Sequence, residues 1–387
     1  NTFKFYGDCL PTMIAFRHHH QYLQIIIGTT ILVVAAVSGS IQAQDCVDGS
    51  EEICRNNNNN DGGDGDDATA EQPHQTDDSL LKVRLGLEWF TNPDHLPLIV
   101  AQSHGIFKDF GLDVELVEPA DHWEAEDEIL QGRLDVAVTE PLHLAQDAAK
   151  GKPVLGFSRW FHTDGGVLYD AASGITRPAD MCGATISYPG SPGPGGPAIV
   201  DTMVKADGKL DCDLESYGKY NGGFFHTDAL QSGKADVATL IFWNFEIPEA
   251  QAKGMEKAAF FSLRDWGVPD FCQLVLMTTP ARFEEMKPTF RKLVLAIRRA
   301  TGVINQQGDL AREYYYQYVD KASADETAQA IMEATVTATL SAFANDNSMS
   351  REYYERLTDW LIETNQVDSD AASKVPVSAY WTNEIAW

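Results

Sequence analysis

The residues best suited to recognise a small molecule close two copies of one short pattern. "LQGRLDVAVTEPLH" (130–143) ends on Thr139, Glu140 and His143, and "LQSGKADVATLIFWNFE" (230–246) ends on Trp243, Asn244 and Glu246. Carboxylates and amides bond the polar edge of a heterocycle. An indole offers it a flat face, worth about 0.5–1.5 kcal/mol beyond area burial. A third group has the same character: Trp89 ends "KVRLGLEW", and Asn92, Asp94 and His95 lie in the loop after it. "YPGSPGPGGPAIVDTMV" (188–204) adds Tyr188, Gly190 and Ser191 in a Gly/Pro-rich turn before a helix. Free N–H groups there suit an anion or a polar ligand edge, although a rigid turn explains the composition too. The loop lacks the Lys and the spacing of a nucleotide P-loop, and there is no G-x-S-x-G or H-E-x-x-H pattern. Arg159, His162 and Asp164 in "SRWFHTDGG" could meet in a cleft or lie on a surface loop.

These groups need elements to bring them together. From Leu81 the chain alternates apolar strands with amphipathic helices, which predicts an α/β fold of parallel strands with right-handed crossovers. The first set runs through "KVRLGLEW", "LDVELVEP", "LDVAVTE", "KPVLGFSRWF" and "GGVLYD", and the second through "ATISYPG", "YNGGFF", "ADVATLIF" and "KAAFFSL". After "QLVLMTTP" the period is helical from 281 to 363. We expect two lobes, 81–176 plus 276–387 and 177–275, with crossings near 172–180 and 270–280 and a C-terminal helical tail. Ligands of open parallel sheets bind outside the carboxyl ends of the strands, so the repeated strand delivers both residue groups to one inter-lobe cleft.

The first residue is Asn1, so we expect the true start to lie upstream. A basic flank at Arg17 to His20, an apolar run from Tyr22 to Val37 and the small residue Ala43 read as a secretory signal or an uncleaved anchor over residues 1–44. Residues 45–80, with "RNNNNNDGGDGDDATAEQ", are too polar to offset their ordering entropy and read as a disordered linker. Cys46 and Cys54 in it could pair or stay free in an oxidising compartment. Cys182 and Cys212 each fall just before a predicted strand. If those strands are parallel neighbours, both thiols emerge at one sheet edge as a candidate disulfide. Cys272 reads as a buried, inert thiol. The net charge of −28, from 29 basic and 57 acidic residues, argues against a nucleic-acid partner.

"LEWFTNPDHLPLIVAQSHGIFKDFGLDVELVEPAD", "QGRLDVAVTEPLHLAQDAAKGKPV", "SGKADVATLIFWNFE" and "GVPDFCQLVLMTTP" carry a resemblance. Over about 82–310 the chain resembles the thiamine-pyrimidine-precursor family: formylaminopyrimidine-binding proteins of bacterial ABC importers and the related pyrimidine-precursor synthases. The resemblance implies a two-lobed type II periplasmic-binding-protein fold. The synthase branch needs a Lys holding pyridoxal phosphate, a His consumed as substrate and a Cys-rich iron motif. Here Thr139 takes the place of that Lys, His143 matches the His, and "GVPDFC" keeps only Cys272. A Thr forms no Schiff base, and one thiol does not hold iron alone. In the synthase the loop matching 188–204 cradles the cofactor phosphate; importer-type relatives often carry an acid where Gln273 stands. The expectation is therefore a binding protein without cofactor or metal, a monomer or weak dimer. It takes a pyrimidine between its lobes and has a membrane transporter as a further partner; synthase activity is the alternative.

Overall fold

The computed structural model describes residues 80–120, 124–188, 195–343 and 346–387. The segments read above as signal and linker, with Cys46 and Cys54, lie outside the described residues, as do Gly190 and Ser191. All that follows belongs to the unit that begins at Gln75.

The chain first lays down β1 (Leu81–Gly86), α1 (Leu96–Ser103), α2 (Ile106–Asp109), β2 (Leu112–Val117), α3 (Glu124–Leu130), β3 (Val136–Thr139), α4 (Pro141–Ala149) and β4 (Leu155–His162). It then crosses and builds β5 (Gly165–Asp170), β6 (Thr185–Tyr188), α5 (Gly195–Ala206), β7 (Gly218–Asn221), α6 (His226–Gln231), β8 (Val237–Phe242), α7 (Trp243–Ala252) and β9 (Ala258–Ser262). On its return it forms β10 (Gln273–Thr278) and the helices α8 (Pro280–Gln306), α9 (Gly308–Tyr318), α10 (Glu326–Thr339), α11 (Arg351–Glu363) and α12 (Ser369–Ala372). Two five-stranded sheets result, ordered β2-β1-β3-β10-β4 and β7-β6-β8-β5-β9.

Both sheets are mixed rather than purely parallel. β1 pairs in parallel with β2 and β3, and β6 with β7 and β8. The connecting strands insert antiparallel: β10 between β3 and β4, β5 between β8 and β9. A strand that arrives from the other lobe needs no helical crossover, so its direction is not constrained as in a βαβ unit. The lobe boundaries shift accordingly. β5 already lies in the second sheet, so the first crossing occupies Thr163 and Asp164 rather than 172–180. The second falls between Ser262 and Gln273, earlier than 270–280. The crossing strands run close together: Thr163 N–H donates to the Cys272 carbonyl at 3.1 Å, and a Cβ on Gly165 would collide with the Cys272 thiol.

The two copies of the repeated pattern are β3 running into α4 and β8 running into α7. Both strands are buried along their whole length, which explains their unbroken apolar runs. β8 departs from regularity at Leu240, whose φ of 60° is rare for a side-chain-bearing residue. The pairing with β5 slips there, between Gly166 and Leu168. The helical tail belongs to both lobes. α8, started by the Thr279 side chain accepting from Arg282 N–H and by Pro280, packs on α1, while α10 packs on α7.

Candidate functional site

Where β1, β3 and β8 stop, the described residues line a cavity of about 20 Å³. Its walls are Glu88, Trp89, Asn92, Asp94 and Glu140 from the first lobe, and Leu240, Phe242, Phe245 and Glu246 from the second. Four carboxyl groups thus face a space bounded by aromatic rings.

Local structure fixes each group. Asn92 caps the short helix Pro93–His95: its side-chain oxygen accepts from Asp94 N–H at 2.8 Å, and His95 Nδ1 accepts from Asn92 N–H at 3.2 Å. The far side of that imidazole, Nε2, bonds both Glu88 oxygens at 3.0 and 3.1 Å. Burial disfavours a charged His95 ring, but the Glu88 carboxylate outweighs it and lifts the pKa above the usual value. On the opposite lobe Glu246, in the first turn of α7, accepts from Phe242 N–H at 2.8 Å, tying the helix start to the end of β8. Burial pushes the Glu246 carboxyl well up, and Glu249 and Asp94 push the same way. Asp94 is likewise raised by burial, to about 7.

Asp94 also joins the lobes. Asn244, on α7, donates to Asp94 Oδ1 at 2.5 Å and to Thr339 Oγ1 of α10 at 2.8 Å, all three buried. Around Trp89 the second lobe contributes Phe224, edge-on at 4.4 Å between ring centroids, and His226, nearly parallel at 6.1 Å. His226 Nδ1 is held by Ser187 Oγ at 3.0 Å.

Of the expected site residues, Trp89, Asn92, Asp94, Glu140 and Glu246 line the cavity. His95 and Asn244 stand directly behind the lining. Thr139 is buried with its hydroxyl on the Glu140 carbonyl at 3.4 Å. His143 sits one helical turn into α4, its Nδ1 2.7 Å from Glu140 Oε2, and burial holds its pKa well below the usual value. Tyr188 is buried against the start of α5, and burial raises its phenol. Two positions differ from expectation. Trp243 is 42% exposed, because α7 begins at that residue and turns its side chain outward while Phe242 and Phe245 take the cleft. Gln273 accepts from Arg159 Nη1 at 3.1 Å and lines a separate cavity. Glu88, Phe242, Phe245, Leu240 and Thr339 were missed. All but Thr339 lie inside the quoted stretches, and Glu88, Phe242 and Phe245 carried a signal there. Leu240 reaches the cavity through an irregular backbone, and Thr339 across a tertiary contact, neither of which leaves a local pattern.

Two α/β sheets joined by crossing strands, with a polar cleft where the strands end, define a periplasmic-binding-protein fold. Solved structures agree. The alkanesulfonate-binding protein SsuA of Xanthomonas axonopodis pv. citri superposes with a TM-score of 0.58 at 14% identity, covering 78% of this chain and 98% of that one. The periplasmic nitrate-binding protein NrtA of Synechocystis PCC 6803 superposes with a TM-score of 0.56 at 12% identity, covering 79% and 87%. The family model described as NMT1/THI5 like matches residues 92–311, more than half of the chain, and the protein belongs to that family. Among its relatives, the formylaminopyrimidine-binding protein of Halalkalibacterium halodurans is 26% identical over 77% of this chain and 92% of its own length. The 4-amino-5-hydroxymethyl-2-methylpyrimidine phosphate synthase THI13 of Saccharomyces cerevisiae is 27% identical over 58% and 67%.

Proposed function

We propose that this protein is a solute-binding protein that closes its two lobes on a thiamine-precursor-like pyrimidine and delivers it to a membrane transporter for uptake, outside the cytoplasm. The observation that carries the proposal is the inter-lobe cavity, which four carboxyl groups line together with the Trp89 ring. Such a lining favours a flat ligand rich in N–H donors, as an aminopyrimidine is, over an anion. The formylaminopyrimidine-binding relative supports the ligand class. A disulfide joins Cys182 and Cys212, in keeping with an oxidising compartment.

Pyridoxal phosphate, the cofactor of the synthase branch, does not fit these residues. No lysine lines the cavity among the described residues, and Thr139 spends its hydroxyl on a backbone carbonyl. The single thiol at the second crossing, Cys272, donates to the Ile241 carbonyl at 3.4 Å, and burial raises its pKa well above normal. Calorimetry with formylaminopyrimidine, hydroxymethylpyrimidine, thiamine and pyridoxal phosphate tests the proposal. Saturable heat with at least one of the two precursor pyrimidines, and none with pyridoxal phosphate, is expected. Silence with both precursors overturns it.

A further inference from the structure

A second cavity, of about 260 Å³, shares no lining residue with the cleft. Gln273, the first residue of β10, lines it, whereas the Cys272 thiol just before the strand bonds the Ile241 carbonyl. Three guanidinium groups, those of Arg159, Arg264 and Arg356, meet one carboxylate, that of Asp270. In a chain of net charge −28, such a surplus of cations is local and specific. Asp270 is already engaged: it accepts from Arg264 at 3.1 Å, and His162 Nε2 lies 3.3 Å away. Arg264 also bonds Asp164. Among the described residues Arg159 bonds only a neutral side chain, the amide of Gln273, although Asp346 lies within its field. Arg356 enters no ion pair among the described residues. The inner wall is aromatic and apolar, formed by Tyr353, Tyr354 and Met349. Among the described residues, the buried Tyr353 hydroxyl has no hydrogen-bond partner.

We infer that this cavity is a second ligand site, which takes a small organic anion with its ring against Tyr353 and its charged group between Arg159 and Arg356. Size supports a ring plus one substituent: an apolar cavity of about 150 Å³ accepts benzene, and drug-sized pockets begin at about 300 Å³. A planar guanidinium pair suits a phosphate or carboxylate by bidentate bonding. The site is independent of the pyrimidine proposal.

Titration of the full chain with phenyl phosphate, in a calorimeter at constant ionic strength, tests it. One equivalent should bind. Arg356→Gln, an exposed position whose change leaves the core intact, should weaken binding by about fivefold or more, the loss of one charge-assisted bond. Arg159→Gln should do the same. Arg299→Gln, an exposed position paired with Asp109 and outside the lining, and Trp89→Ala, in the cleft, should leave it unchanged. Benzamidine, the same ring with a cation, should not bind. No saturable binding by the wild type, equal binding of benzamidine, or a loss caused by Trp89→Ala but not by the arginine changes overturns the assignment.

Discussion

Asp94 concentrates the chemistry of the cleft in one side chain. Its carboxyl has an ordinary value of 3.8 and is raised by burial to about 7 in the fold. A raised folded value means that the protonated form is favoured by folding. The stability so gained is complete below about pH 4 and is lost as pH rises toward 7, at up to about 1.4 kcal/mol per pH unit. Glu246 shifts in the same direction and adds to the same slope. Urea unfolding measured across this window should show stability falling with pH, and Asp94→Asn should flatten the fall. An unchanged slope in the variant would assign it to the general repulsion of an acidic chain instead. The two tryptophans make a contrasting pair. Trp89→Ala should weaken the pyrimidine by roughly tenfold, about 1.4 kcal/mol of stacking and burial. Trp243→Ala should leave affinity within about twofold, since the exposed ring meets solvent. Equal losses in the same calorimetric titration would contradict the geometry. Much of this residue inventory was legible because Trp89, Asp94, Glu140 and Glu246 all lie in the short segments that follow the ends of β1, β3 and β8. The outward turn of Trp243 was not, because one residue's difference in where a helix begins swings a side chain by about 100°.

At the scale of elements, the alternation of strand and helix was readable nearly throughout, since buried strands leave continuous apolar runs. Strand direction was not: whether a strand is parallel depends on the lobe it comes from, and β5 and β10 carry the same apolar signature either way. Two contacts between elements have measurable consequences. The Cys182–Cys212 bond links the approaches to β6 and β7 across 30 residues. By the entropy of the loop it closes, its removal should cost roughly 3–4 kcal/mol. A Cys182→Ser, Cys212→Ser protein should therefore melt well below the parent in a thermal scan, while an equal Tm would remove the bond from the fold's stability. The junction of α7, α10 and the Asp94 loop turns on Asn244. Asn244→Ala leaves Asp94 and Thr339 without that donor, a loss of about 1–3 kcal/mol. Small-angle scattering should then report a larger radius of gyration, as the lobes part more readily; an unchanged radius would assign closure to the aromatic contacts.

For the molecule as a whole, the tail is what the lobes share. α8 rests on the first lobe and α10 on the second, so the C-terminal helices bridge the hinge instead of ending beyond it. The two-lobed architecture was readable from the repeated strand pattern together with the family resemblance; this bridging was not, because helical periodicity shows that a face is buried but not against what.

The cavity of about 20 Å³ has a kinetic meaning. That is room for about one water molecule, whereas ligand pockets span roughly 300–1,000 Å³. A pyrimidine needs more room than that, so capture should pass through a population in which the lobes stand further apart. In stopped-flow mixing, the observed association rate should climb with ligand concentration and then level off at the rate of lobe opening. Asn244→Ala should raise that plateau.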